Sequence, residues 1–253
     1  MRDNFENSKK YFELFIEEKM NLIGDSYKRI DSGILTEDQM PFAKYTIFLF
    51  SLEILIAKYS AGFSIDELKG DYSNTINLLT SGWDDSVVKL KMGVKTLDQY
   101  ILNQYCYMVW VLSLGILLLV SDKEKSLLKS IITNGNIKDE LILFLLEALT
   151  NNNLKTEKIK TTYKPFKNLL KNNKLYEINR SDVKKYLSGW FKNSKLLPWY
   201  NTKSSIGKGS KYYYGFWSFE SAAIVAINGL DDASFRENEY YPKDLVDYYR
   251  NQV

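Results

Sequence analysis

Histidine is absent from the 253 residues, cysteine occurs once and proline four times. Each shortage excludes something. Without histidine no imidazole can shuttle protons near neutral pH or bind a metal, and Ser–His or Cys–His nucleophile pairs cannot be assembled. One cysteine, Cys106, permits no internal disulfide and no multi-cysteine metal site. Set in an apolar run, it reads as a small buried hydrophobe rather than a reactive thiol. The start from Met1 to Lys10 is polar and charged, with no signal-peptide core behind it, so a cytoplasmic location is expected.

What is abundant is Leu, Ile, Lys, Glu and Asn, a composition that favours helix over sheet. Charge is unevenly spread. Residues 1–150 hold 16 basic and 21 acidic side chains, 151–215 hold 15 and 3, and 216–253 hold 3 and 7, so a net of +3 conceals a strongly basic middle. Such segregation creates local fields that steer a charged partner.

Apolar residues at three- and four-residue steps, Phe5, Phe12, Phe15, Ile16, Met20, Ile23, Tyr27 and Ile30, predict a first helix from about Asn4 to Ile30, ended by Gly33. A second follows Thr36, with Pro41 in its first turn, and runs to Tyr59 before Gly62. Ser64/Glu67, Thr96/Gln99 and Ser121/Glu124 have capping-box spacing, in which side chain and backbone N–H satisfy each other reciprocally. They predict helices near 65–80, 97–120 and 122–133, with another at 137–149. Residues 151–176, rich in Lys and Asn and broken by Pro165, read as a boundary or connector. Ser181 caps a helix carrying Val183, Tyr186, Leu187, Trp190 and Phe191; a loop holds Pro198, Gly207 and Gly209; short helices start at Ser218 and after Pro242.

No charge lies between Asp98 and Asp122, a run of 23 residues long enough to span a bilayer. Asn103, Gln104 and three tyrosines in its first half would be poorly placed in hydrocarbon, and the amphipathic neighbours need a central partner. It reads as a buried core helix. The expected fold is all-α: a two-part helical bundle around a long central buried helix, with little or no sheet. An N-terminal helical domain covers 1–150, and a C-terminal one, 151–253, carries the GFWSFESAA and YYPKDL motifs.

Those motifs are the most distinctive part of the chain. Tyr212 to Ala223 reads YYYGFWSFESAA, followed by GLDDASF from Gly229 and YYPKDL from Tyr240. This resembles the C-terminal signature of the polymorphic nuclease immunity family: aromatic-Gly-aromatic-Trp-Ser-Phe-Glu-x-Ala-Ala, a Gly-Leu-Asp-Asp-x-Ser turn and a Tyr-Tyr-Pro-x-Asp-Leu ending. Trp199-Tyr200 is similar to the aromatic pair that precedes it there, and Met108 to Leu119 resembles the family's N-terminal domain. Phe216 stands where many members have Tyr, and no His follows the Trp-Tyr pair, so any role tied to that histidine does not carry over.

The resemblance implies a cytoplasmic, non-enzymatic inhibitor whose partner is a cognate secreted nuclease toxin, needing no cofactor, metal or membrane. Physically, Trp217, Ser218, Phe219, Glu220, Asp231, Asp232, Tyr241 and Pro242 are explicable as structure: large aromatics, caps and turns. Contact with the toxin is assigned either to the basic side, through Lys203, Lys208, Lys211, Tyr212 and Tyr200, or to the acidic side, through Glu237 and Glu239. Basic groups would enter a carboxylate-lined catalytic pocket; acidic ones would occupy a DNA groove as phosphate does.

Two other readings compete. The basic 151–215 region, with Lys155, Lys158, Lys160, Lys164, Lys167, Lys171 and Lys174 and interleaved Tyr163 and Phe166, has the footprint of a nucleic-acid-binding helical protein, although no reading motif accompanies it. An enzyme would have to rest on acidic pairs such as Asp84-Asp85 or Asp231-Asp232. No convergent set of catalytic groups surrounds either in the sequence.

Overall fold

The computed structural model describes residues 1–154, 157–161, 163–167, 169, 177–208 and 212–253. Its packing divides into two units: 1–88 with 201–215, and 89–200 with 216–253. Residue 150, where composition suggested a boundary, lies in the second unit.

The first unit is built on three long helices, α1 (Ser8–Asp31), α2 (Met40–Ser60) and α3 (Ile65–Gly82), with a short α4 (Asp85–Val88). The middle one, α2, packs against both others. By length and composition α2 is apolar enough to cross a membrane. Two of its three charged residues are nonetheless answered from the neighbours, Glu53 by Lys19 of α1 at 2.6 Å and Lys58 by Asp71 of α3 at 2.8 Å, while Lys44 is exposed. Phe12 and Phe15 of α1, and Leu68, Tyr72, Ile76 and Leu79 of α3, supply the buried apolar stripes that an amphipathic helix needs. The capping box at Ser64/Glu67 forms as its spacing implies.

Residues 213–215 also belong to this core. The Ser60 hydroxyl donates to the Tyr214 carbonyl at 2.8 Å, and the Tyr213 N–H donates to the Tyr11 hydroxyl at 3.0 Å. Gly82, closing α3, lies so near α2 that an added Cβ would sit 2.7 Å from the Lys44 carbonyl oxygen and 3.1 Å from Tyr45 Cα. Backbone cannot swing aside as a side chain can. Gly82→Ala is therefore expected to destabilise the protein by about 1–3 kcal/mol, read as a lower urea midpoint at unchanged slope. A midpoint equal to that of the wild type would show that the two helices separate without resistance.

The second unit surrounds α5 (Leu102–Leu117), on which α7 (Glu140–Thr150), α10 (Phe219–Ile227) and α11 (Lys243–Gln252) pack. Every residue from Tyr105 to Leu117 is buried, as befits a helix apolar on all sides. The uncharged run is thus a core helix, as expected. Around it lie α6 (Asp122–Asn134), whose Ser121/Glu124 capping box is present, the short α8 (Lys164–Lys167) and α9 (Arg180–Asn193). The cap of α9 is Asn179 rather than Ser181: its side-chain oxygen accepts from the Ser181 and Asp182 N–H groups at 2.8 and 3.2 Å, and Asp182 answers its own N–H at 3.1 Å. The expected loop near Pro198 contains a 3-10 turn at Thr202–Ser205.

One expectation fails outright. Thr96 and Gln99 form no capping box; they lie on β2 (Lys95–Tyr100), which pairs antiparallel with β1 (Lys89–Met92). Met92 pairs with Lys95, leaving Gly93-Val94 as a two-residue turn. Gly93 has φ +58° and Val94 is not left-handed, the pattern of a type II′ hairpin turn, whose twist matches that of the strands. Local pairing across this turn outcompetes a helical start. The sheet remains this one hairpin among the described residues, and the fold is predominantly α-helical.

Candidate partner-binding surface

The aromatic motif builds the core on which any surface is displayed. Glu220, in the first turn of α10, is 0% exposed. Its Oε1 accepts from the Tyr186 hydroxyl at 2.8 Å, the Trp190 indole N–H at 2.6 Å and the Ser218 hydroxyl at 2.7 Å. Burial pushes the carboxyl above its ordinary pKa, against the pull of these donors. Ser218 sits at the expected cap position of α10 but turns its hydroxyl to Glu220 rather than to the helix. Around the carboxyl stand Trp190 and Trp199, stacked at 5.0 Å, with Phe216 at 5.3 Å from Trp199 and Trp110 edge-on to Phe219 at 5.9 Å. Ala222 and Ala223 are fully buried, small enough to let α10 approach α5 closely.

The second motif is pinned to the first, since the Ser218 N–H donates to the Tyr240 carbonyl at 2.8 Å. After Gly229, whose φ of +58° makes the turn, Asp231 accepts from the Ala233 N–H at 3.1 Å and pairs with exposed Arg180. Asp232, 4% exposed, binds Arg250 at 3.0 Å, Arg236 at 3.1 Å and the Tyr241 hydroxyl at 3.1 Å. Burial alone would raise its pKa, but Arg250, Tyr241 and Arg236 outweigh that and hold it below the ordinary carboxylate value. Pro242 precedes the first turn of α11. The acidic pair at 231–232 is therefore occupied by structural partners. Arg236 lies at helical spacing from Asp232 and was open to notice in the sequence; Arg250, eighteen positions on, carried no local signal.

The residues proposed for partner contact divide between the two units. In the first, Tyr212 is 61% exposed and Lys208 is exposed. Lys203 is engaged with Asp3 at 3.1 Å and lies 5.2 Å over the Tyr213 ring. Lys211, with Gly209 and Ser210, lies outside the described residues. In the second unit, Tyr200 is half-buried with its ring 4.6 Å from Phe191. Glu237 pairs with Lys243 at 2.6 Å, and Glu239 is exposed beside Tyr240, whose hydroxyl pKa is raised by burial and by that carboxylate.

Of the lysine-rich stretch, Lys155, Lys171 and Lys174 lie outside the described residues. Lys158 is taken by buried Glu147, at 2.5 Å. The interleaved rings face inward: Tyr163 and Phe166 lie 4.9 and 5.2 Å from Tyr105. Bases need exposed rings on which to stack, so the aromatic half of a nucleic-acid footprint is spent on the core. Sequence reasoning overlooked a surface elsewhere, the hairpin tip, where residues 91–96 are all exposed. Its signal, a glycine between two short runs with alternating lysines, was masked by the Thr96/Gln99 spacing.

Comparison with known proteins places these features. Comparison with curated proteins yields no match. The crystal structure of protein PA2201 from Pseudomonas aeruginosa has a similar fold, with a TM-score of 0.68 at 17% sequence identity, covering 99% of this chain and 91% of that one. Two family models match in tandem: PoNe immunity protein (PoNi), N-terminal, over residues 2–130, and PoNe immunity proteins (PoNi), C-terminal, over 137–245. The chain therefore belongs to the PoNi family, the immunity proteins of polymorphic nuclease toxins.

Proposed function

We propose that this protein silences its cognate nuclease stoichiometrically, by covering the toxin's working surface, and that it does so in the cytosol of the cell that makes it. The observation that carries this reading is the tandem family match, over 2–130 and 137–245. An inhibitor of this kind makes and breaks no bond. It buries a complementary surface of roughly 1,600 Å², with most of the affinity in a few aromatic or basic side chains. Tyr212 and Lys208 suit that role because they are exposed; Lys203, Tyr200, Glu237 and Glu239 would first exchange a partner within the chain. The uneven charge of the chain speeds the encounter.

Titrating the purified protein into its cognate toxin tests the mechanism. Nuclease activity is expected to fall linearly and reach zero near about one molar equivalent, with the two proteins co-purifying. Complete inactivation by a small fraction of an equivalent would mean turnover and would overturn stoichiometric occlusion. Unchanged killing of cells that co-express the protein would overturn the pairing itself.

A further inference from the structure

The β1–β2 hairpin has a firmly held base and an unclaimed tip. At the base, Tyr100 is buried and its carbonyl accepts from the Tyr163 hydroxyl. Lys89, also buried, reaches Asp98 at 3.4 Å, and the Asn136 amide donates to the same carboxylate at 2.5 Å. At the tip the pattern reverses. Met92 is 66% exposed and Val94 108%, so Val94 contacts almost nothing beyond its own neighbours. Lys91 and Lys95 flank them, exposed, with no carboxylate paired to either among the described residues. The tip thus combines two uncompensated ammonium groups with two large apolar side chains on a turn whose geometry is already set.

Among the described residues, no ion pair or burial uses these groups. Exposed valine at a hairpin turn contributes no burial, and the turn needs only its glycine. A narrow cationic finger with an apolar end is complementary to a narrow anionic cleft. A nuclease that works through divalent metal has such a cleft, because the carboxylates that hold the metal repel one another when it is absent. The geometry points to the hairpin tip as the element that enters the carboxylate-lined, metal-holding cleft of the toxin, Lys91 and Lys95 standing where the cation would. This rests on the reading of the protein as a stoichiometric inhibitor and assigns it a point of contact outside the basic 151–215 region. A finger already rigid at its base loses little conformational entropy on insertion.

The test uses the full chain and its cognate toxin. Lys91→Glu/Lys95→Glu is expected to weaken binding by at least about 100-fold and to abolish protection, since two attractive contacts become repulsive. Met92→Ser/Val94→Ser should weaken it by about 10-fold. Lys9→Glu/Lys10→Glu makes the same change of net charge at another exposed pair, and should shift affinity less than about threefold if the effect is local. All these positions are solvent-exposed, so urea midpoints should match the wild type; Val94→Glu alone provides a gentler variant if the double one unfolds. Loading the toxin with Mn²⁺, at ionic strength matched with KCl, should weaken the wild-type complex by about 10-fold, because metal and lysines compete for one set of carboxylates. Tip variants that bind within threefold of the wild type, or an affinity indifferent to Mn²⁺, would overturn the hairpin assignment and leave the inhibitor reading standing. A wild-type chain that neither binds nor protects would overturn the inhibitor reading instead.

Discussion

Glu220→Ala should be among the most damaging single substitutions in the second unit, with a loss of about 3–5 kcal/mol. The side chain is completely buried, and its Oε1 is the acceptor for Tyr186, Trp190 and Ser218. Truncation leaves three buried donors facing an apolar gap, and an unmet buried donor costs about 1–3 kcal/mol, partly relieved by relaxation. Glu220→Gln keeps an acceptor oxygen in place and should lose only about 1 kcal/mol. Four of the five tryptophans, Trp110, Trp190, Trp199 and Trp217, lie in this unit, so urea unfolding followed by indole fluorescence reports the change directly. An alanine variant as stable as the glutamine one would mean that the three donors find other acceptors. The pH dependence has a definite sign. Because burial raises this pKa above 4.5 in the folded state, the folded chain holds the proton more tightly than the unfolded one. Stability from this group is present at acid pH and declines as pH rises from about 4.5 through the raised folded value. The advantage of the wild type over Glu220→Gln should shrink over that range.

Asp232→Ala should be comparably severe, at about 3–5 kcal/mol, for a different reason. Its carboxylate holds two arginines, Arg250 and Arg236, and the Tyr241 hydroxyl; without it two cations face each other with one acid, Asp247, left to Arg236. Arg250 would keep the Leu230 carbonyl, 2.6 Å from its other nitrogen, which limits the loss. Asp232→Asn keeps the shape but not the charge and should recover less than half of the deficit, whereas a merely space-filling role would be rescued fully. Here the pH sign is opposite. The folded pKa lies below 3.8, so this stabilisation is complete above the unfolded value and vanishes as pH falls through the folded one. Acid unfolding of the wild type should therefore begin below about pH 4, and the alanine variant should lack that component. An identical acid limb in both proteins would remove Asp232 from the account of acid stability.

The sequence by itself determined the helical class, most helix boundaries and the family likeness, because each rests on chain-local chemistry. Ser64/Glu67 and Ser121/Glu124 cap helices within four residues of themselves, and a run with no charge from Gln99 to Ser121 has to be surrounded to be stable in water. It also marked Glu220 as a structural residue of the motif, but not which side chains meet it. Tyr186 and Trp190 come from a helix thirty or more positions earlier, a pairing that only α9 packing on α10 brings about. Thr96/Gln99 had the right spacing for a cap and lost to strand pairing around Gly93, a competition that spacing cannot weigh. Local pattern decides which segments become helices because their hydrogen bonds close within a turn. Which charges are cancelled, and which, like Lys91 and Lys95, are left facing water, depends on neighbours distant in sequence, and so only the tertiary structure decided it.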